Sequence, residues 1–372
     1  MLKVSVLSKC ILLSLLVALM AFTTACSQSS STSSSLDNEG SSAAATPYEG
    51  PPEDNINSDQ VQPEASSSPT PGEKDNAEKT FAVPTEGVRP YAVMIDNEGT
   101  RPLPQGGLNL AQVIYEMIAE GGETRLMPVF WEQNPTMIGP VRSSRHYFLD
   151  YSMEHDAIYV HFGWSPMAMK DIPKFKINNI NGVSNGGEIF WDLTKDRGNW
   201  QDSYTSMEKI KGYVEKVKYR TKTEKKPVFK YSGEDLELAG DMKAEKISLR
   251  YSAGYTCGFT YDSDKKLYLR LRKGKPQMER VSGEQLTAKN IIIQKVKSYS
   301  IKGDDKGRQE VNTVGSGEGF FVTNGKYIKI SWSKPSRTEK TRYVDGEGNE
   351  IVLNPGQTWV QIVPAAGKVE IE

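Results

Sequence analysis

The chain has 372 residues, and its 46 Lys and Arg nearly balance its 47 Asp and Glu. That balance speaks against a nucleic-acid binder, which needs a concentrated basic stripe. Three cysteines are too few for a small scaffold stapled by disulfides.

Lys3 and Lys9 flank the start of a run from Ile11 to Phe22 that is apolar except for Ser14. The run is shorter than the roughly 20 residues needed to cross the hydrocarbon core, and it fits the apolar segment of a secretory signal. It ends at Thr23-Thr24-Ala25-Cys26. Small residues before a cysteine resemble the bacterial lipobox, with Thr23 standing where leucine is usual. Residues 1–25 are therefore read as a lipoprotein signal peptide and Cys26 as the site of lipid attachment. The alternative is an ordinary signal peptide with an incidental cysteine. Two or more acyl chains of the palmitate type suffice for stable membrane attachment. The expected location is the extracytoplasmic face of the bacterial cell membrane, lipid-anchored.

Residues 26–80 are rich in Ser, Pro, Asn, Asp and Glu and nearly free of large apolar side chains. Such a segment cannot offset the entropy of ordering and is expected to be a disordered tether. Like charges extend it, and as a coil its ends lie on the order of 40 Å apart. Without signal and tether, the remaining chain carries about +5, which suits anionic partners in the envelope. Cys10 leaves with the signal and Cys26 is lipidated, so Cys257 has no intramolecular disulfide partner.

The folded part begins near Phe81 and is divided by pattern into an α/β domain at 81–230 and a β-rich domain at 231–372, an α+β chain. Residues 89–95 read as a buried strand, ended by the turn chemistry of Asp96-Asn97-Glu98-Gly99. Leu110, Val113, Ile114, Met117 and Ile118 have helical spacing, which predicts a helix over 108–118 stopped by Gly121-Gly122. Leu126–Trp131 reads as a second strand. Residues 140–153 read as a helix with Pro140 in its first turn, and Ala157–Phe162 as a third strand. Residues 165–230 are less regular, with a helix over 206–217 and a charged linker or loop at Lys222–Pro227. Beyond 231, short runs divided by Gly, Asp, Asn or Lys predict about ten strands, with hairpin-like turns at Asn324-Gly325 and Asp264-Lys265.

These residues resemble a known family. Tyr91-Ala92-Val93-Met94-Ile95-Asp96-Asn97, Tyr115-Glu116, Gly122-Glu123-Thr124-Arg125-Leu126, Ile138-Gly139-Pro140-Val141-Arg142-Ser143-Ser144-Arg145 and His161-Phe162-Gly163-Trp164-Ser165 are similar to the N-terminal half of YerB-type lipoproteins. Gly315-Ser316-Gly317, Asn324-Gly325, Trp332 and Pro355-Gly356-Gln357-Thr358-Trp359 are similar to that family's second half. The resemblance spans roughly residues 85–366. It implies a lipoprotein built from two domains of unknown function and leaves mechanism to the residues.

The segment from Gly139 to His146 is the most informative. A helix opened by Pro140 would present free N–H groups to an anion. Arg142 and Arg145 would then share a face as a fork for phosphate or carboxylate, with Ser143 and Ser144 adding donors. The competing reading has a serine capping the helix and the arginines paired with acids such as Glu120 or Glu123. Arg125, after Gly121-Gly122, is a second anion-binding candidate, although the run lacks the ending of a phosphate-binding loop. Asp96, Asn97, Glu120, Glu123, His161 and Trp164 are the other pocket candidates.

His146, His155 and His161 lie close in sequence, but their spacing matches no helical zinc pair, so no metal or cofactor is assigned. A hydrolase could be drawn from Asp96, Ser143 or Ser144 and His161, without a nucleophile-elbow sequence to support it. Gly315–Gly319 reads as a hairpin, and Trp332 and Trp359 as packing residues. The function expected is a membrane-anchored, non-catalytic binding or scaffolding module whose partner is an anionic cell-wall polymer or an envelope protein. The rival is an envelope hydrolase or transferase acting on a phosphorylated or glycan wall substrate.

Overall fold

The computed structural model describes residues 81–194, 201–240 and 242–372. The segments expected to be signal peptide and tether, with Cys26, lie outside the described residues, which all fall in one compact unit. The N-terminal half contributes β1 (Tyr91–Val93), β2 (Ile95–Asp96), β3 (Val113–Ile118), β4 (Thr124–Phe130), α1 (His146–Glu154), β5 (Ile158–His161), α2 (Pro166–Lys174), β6 (Asn179–Asn181), α3 (Gly182–Ile189), β7 (Trp191–Asp192), β8 (Ser203–Tyr204) and α4 (Met207–Lys216). The elements that follow are strands: β9 (Lys230–Tyr231), β10 (Lys246–Arg250), β11 (Thr256–Asp262), β12 (Leu267–Arg272), β13 (Lys275–Pro276), β14 (Thr287–Ala288), β15 (Asn290–Val296), β16 (Ser298–Ser300), β17 (Gln309–Val311), β18 (Gly315–Thr323), β19 (Lys326–Lys334), β20 (Arg342–Val344), β21 (Val352–Leu353), β22 (Thr358–Pro364) and β23 (Lys368–Ile371). The chain is thus α+β, with helices confined to the half in which strands and helices alternate.

One eleven-stranded sheet runs through both halves, in the order β20-β19-β18-β15-β22-β3-β4-β1-β5-β6, with β2 beside β4. β22 is parallel to both β15 and β3, so strands from either side of residue 230 are hydrogen-bonded neighbours. A second, six-stranded antiparallel sheet holds β13-β12-β11-β10-β23, with β14 on β12. The sequence divides near residue 230, but the main sheet crosses that division.

β3 and β22 are buried at every position, the pattern of strands covered on both faces. Alternation assigns the faces. Tyr115 meets Tyr151 of α1 at 4.9 Å between ring centroids, while its neighbour Glu116 reaches Arg270 of the second sheet.

Residues 108–118 are not a helix. Leu108–Leu110 is a single 3-10 turn and 113–118 is β3. An apolar run buried on both faces satisfies the helical spacing by accident, and here pairing with β22 and β4 decides the conformation. Gly121 and Gly122 instead close the turn from β3 to β4, with φ of 66° and 73°, values that suit glycine.

The helix expected from Pro140 starts six residues later, at His146. The intervening backbone is extended and already bonded. Val141 N–H donates to Ser203 O (2.6 Å), Arg142 N–H to Met94 O (2.8 Å) and Ser144 N–H to Gly163 O (2.9 Å). Helices α2 and α3 were not expected. Ser165 caps α2 ahead of Pro166, and Asn181 caps α3.

Candidate functional site

Because residues 140–145 are extended, Arg142 and Arg145 do not form a helical fork. Arg145 reaches back to Glu120 through Nε and donates Nη1–H to Ser144 O at 2.8 Å. Arg125 of β4 takes the other oxygen of Glu120 at 3.2 Å and also donates to Ser143 O. Arg142 pairs with Asp96 at 3.1 Å and with Glu98 at 3.6 Å. Asp96 further accepts from Glu98 N–H and from Gln201 Nε2, each at 3.0 Å. Three guanidinium groups therefore face three carboxylates. Burial, with Arg145 beside it, brings Arg125 down to about 10. Burial alone would raise Glu120, but Arg125 and Arg145 outweigh it and hold the carboxyl below its ordinary value.

The hydroxyls do not serve a helix terminus. Ser144 is fully buried and its Oγ accepts from Tyr159 OH at 3.0 Å. The Ser143 side chain lies against Gly163. His161 is buried with Nδ1 2.7 Å from Gly163 O and Nε2 3.1 Å from the Asn179 side-chain amide, and burial pulls its pKa below the ordinary value. Asp96, the serines and His161 are thus each bonded to a different partner, and no nucleophile–base pair is formed from them.

Asn97 and Glu123 join the two halves. Asn97 donates to Thr124 Oγ1 (2.8 Å) and Tyr255 OH (2.7 Å), and its Oδ1 accepts from Arg272 Nε at 3.0 Å. Glu123 takes Arg272 Nη2 at 3.1 Å and Lys273. Below them Glu116 and Arg270 form an unexposed ion pair at 2.6 Å. Cys257 is buried beside Glu116, and burial pushes its thiol far up. Trp332 and Trp359 are buried as packing residues. His146 meets Glu310 at 3.0 Å, and His155 meets Tyr115 OH at 2.7 Å. The histidines therefore have separate surroundings, and among the described residues no group of three His, Cys, Asp or Glu side chains could hold a metal.

An open cleft lies elsewhere, where the chain leaves α1, α2 and α4 and meets the β19–β20 connection. It holds about 630 Å³. Its base is Arg89, whose guanidinium donates to Asp156 O (2.7 Å), Asn178 Oδ1 (2.7 Å) and Arg220 O (2.9 Å). Arg220 grips Asp156 with both terminal nitrogens, at 2.6 and 2.7 Å. Burial favours the protonated acid at Asp156, but Arg220, Thr223 and Arg89 outweigh it and the carboxyl stays low.

Around this base stand Lys176, Lys225, Lys226 and Lys340. The Lys225 ammonium donates to the carbonyls of Met153 (2.7 Å) and Thr338 (2.6 Å). Two carbonyl dipoles, rather than a carboxylate, hold that charge at the cleft wall. Three acids line the cleft, Asp156, Glu154 and Glu339, against six Lys and Arg, and Glu154 is already neutralised by Lys334 at 2.8 Å. The cleft is therefore net positive. Its residues come from six separate stretches of the chain, so no local pattern announces it. The visible signal is the charged segment Lys222–Pro227, whose pattern predicts a linker or loop.

A smaller cavity, of about 250 Å³, opens beside Trp164 between α2 and α3. It unites Trp164 with Asn179, the hydrogen-bond partner of His161.

With two halves sharing one sheet and no assembled catalytic group among the sequence candidates, the architecture is that of a two-part, strand-rich domain pair. The chain belongs to the family described as Protein of unknown function (DUF3048), matching its N-terminal domain over residues 79–220 and its C-terminal domain over residues 247–360. It is 32% identical over 282 residues to "Putative lipoprotein YerB" of Bacillus subtilis (strain 168), covering 74% of this chain and 81% of that protein. It also resembles the crystal structure of the YerB protein from Bacillus subtilis, with a TM-score of 0.67 and 28% identity, over 78% of this chain and 98% of the other.

Proposed function

We propose that this protein is a lipid-anchored envelope protein whose folded part is a non-catalytic binding module, and that its basic cleft holds an anionic, phosphate-bearing wall polymer. The relative's name as a lipoprotein and the cysteine at position 26 after an apolar leader support the anchor. The acidic tether would carry the domain away from the bilayer, within reach of wall polymers. The observation that carries the binding reading is Lys225, which is fixed by two backbone carbonyls in a cleft of about 630 Å³ with Lys176, Lys226 and Lys340 around it. An ammonium has three donors, so Lys225 keeps one for a ligand oxygen. A cleft in which cations outnumber acids also concentrates polyanions at its mouth.

The test is photo-crosslinking in living cells from position 226 on the cleft, with position 281, exposed at 59%, as the control. The reading predicts a phosphate-containing adduct of polymer mass from 226 and none from 281. Equal capture at both positions, or capture of protein alone, contradicts it.

A further inference from the structure

The face around Leu236 has the opposite character to the basic cleft. A groove of about 480 Å³ is lined by the segment Leu236–Ala239, by β18 and β19, and by the turn between β20 and β21. Much of its lining is apolar. Phe321 is buried, Leu238, Ile328 and Ile351 are half-buried, and Leu236 and Val352 line it while 43% and 40% exposed. The exposure of Leu236 is built in. Its N–H donates to Asn354 Oδ1 at 2.7 Å, and its carbonyl accepts from Asn354 Nδ2 at 2.8 Å. Asn354 is only 1% exposed and also donates Nδ2–H to Thr323 Oγ1 at 3.0 Å. One residue before Leu236, Asp235 pairs with Lys289 at 2.8 Å. The backbone of this wall is therefore tied down, and its leucine stays in solvent. An apolar patch held open in this way marks an interaction site.

The charged residues of the lining are mostly acids. Glu350 is already neutralised, by Lys230 and Arg342 at 3.0 Å and by Lys340 at 3.4 Å. Glu237, Asp345 and Glu347 have no Lys or Arg partner among the described residues, and Lys329 is the one cation in the lining. Asp345 accepts the N–H groups of Asn349 and Glu347, each at 2.9 Å, which hold its carboxyl below the ordinary value. The groove thus carries net negative charge on a folded part that is net positive. Lys340, the partner of Glu350, lines the basic cleft, so surfaces of opposite sign meet at that pair.

We infer that this groove docks a cationic, apolar peptide segment of a partner protein, seating a bulky apolar side chain against Leu236 and Val352 with Lys or Arg beside it for Glu237, Asp345 and Glu347. An apolar centre within a charged rim is the ordinary anatomy of a protein interface, and complementary charge steers the partner to it. Charge also decides among occupants. Unpaired carboxylates repel a phosphate polymer and an anionic lipid surface. A two-fold contact between copies of this chain would set the same acids against one another. The groove and the cleft therefore take partners of opposite charge, and this inference does not rest on what the cleft binds.

The test uses the full chain on vesicles of phosphatidylcholine, a neutral surface, with protein-free vesicles as the blank. Three fluorescent peptides are sedimented with the vesicles: Lys-Lys-Leu-Phe-Lys-Lys, the charge-reversed Glu-Glu-Leu-Phe-Glu-Glu, and Lys-Lys-Ser-Ser-Lys-Lys, which lacks the apolar pair. The first should bind, and the other two should be weaker by about tenfold or more. Glu237→Lys with Glu347→Lys, both at exposed positions, should weaken the first peptide by about tenfold or more. Leu236→Ala should weaken it severalfold, and should that variant unfold, Val352→Ser reads the same apolar contact. A photo-crosslinker at position 352 should join the peptide. No binding of the first peptide, equal binding of either of the others, undiminished binding by the folded variants, or crosslinks from 352 to a second copy of the chain in place of the peptide overturns the assignment.

Discussion

Arg270 of β12 and Glu116 of β3 form a salt bridge of 2.6 Å in which neither side chain is exposed. Each comes from a different half of the chain, and the guanidinium also lies 4.6 Å from the Trp359 ring centre and 4.9 Å from that of Phe259. Thr124 and Tyr255 donate to the other oxygen of Glu116 at 2.7 and 2.6 Å. Removing one partner strands a charge where water cannot reach it. Arg270→Met should lower unfolding stability in urea by about 3–5 kcal/mol, and the double variant with Glu116→Leu should recover a large part of that loss. Single variants as stable as the parent would show the pair to be hydrated.

Arg145 and Arg142 are structural by the same reasoning. Glu120 is held between Arg125 and Arg145, and Asp96, fully buried, depends on Arg142. Arg142→Ala with Arg145→Ala should cost at least about 3 kcal/mol in urea unfolding while leaving polyanion affinity of the folded protein unchanged. Lost affinity with unchanged stability would return these arginines to the role of ligand-binding groups.

His155 gives the chain a specific sensitivity to acid. Its Nε2–H donates to Tyr115 OH at 2.7 Å, which in turn donates to Glu154 at 2.8 Å. Its ring lies against Trp131 and Phe229. Burial lowers its pKa from 6.5 to about 4, although Glu154 pulls the other way. Between those values the unfolded chain binds the proton and the folded chain does not. Stability from this group is therefore full above pH 6.5 and is lost as pH falls toward 4, by about 3 kcal/mol. His155→Gln keeps an N–H for Tyr115. The difference in stability between parent and variant should shift by about that amount across the window. A difference independent of pH would mean that His155 is protonated in the fold.

Much of the β-rich half was legible because turn chemistry marks its strands. Asn324-Gly325 closes β18 onto β19 with φ of 50° and 75°, the left-handed pair that this dipeptide favours. A Cβ on Gly325 would also come within 2.7 Å of Tyr261. The α/β half was legible where Ser206 capped α4 and where β1 and β5 ran apolar. It failed at Val113–Ile118, where burial on both faces hides the period, and at Pro140, whose place in a bridge network depends on Met94 and Ser203, far along the chain.

Among candidate residues, residue type offers Glu120 or Glu123 as partners for Arg142 and Arg145; Glu120 does hold Arg145, but Arg142 pairs with Asp96 instead. The basic cleft was hidden for a different reason. Arg89, Lys176 and Lys225 are far apart along the N-terminal half, and Lys340 joins them from the other half, after β19.

On the proposed function, the cleft around Lys225 holds a phosphate-bearing polymer. The direct measurement is calorimetric titration of the protein with poly(glycerol phosphate), at low salt and at about 1 M, where the screening length falls to about 3 Å. Binding should be present at low salt and lost at high salt, and Lys176→Ala, Lys225→Ala and Lys226→Ala together should weaken it by about tenfold or more, with each exposed charge contributing modestly. No heat of binding at low salt, or equal affinity in the triple variant, would contradict the account.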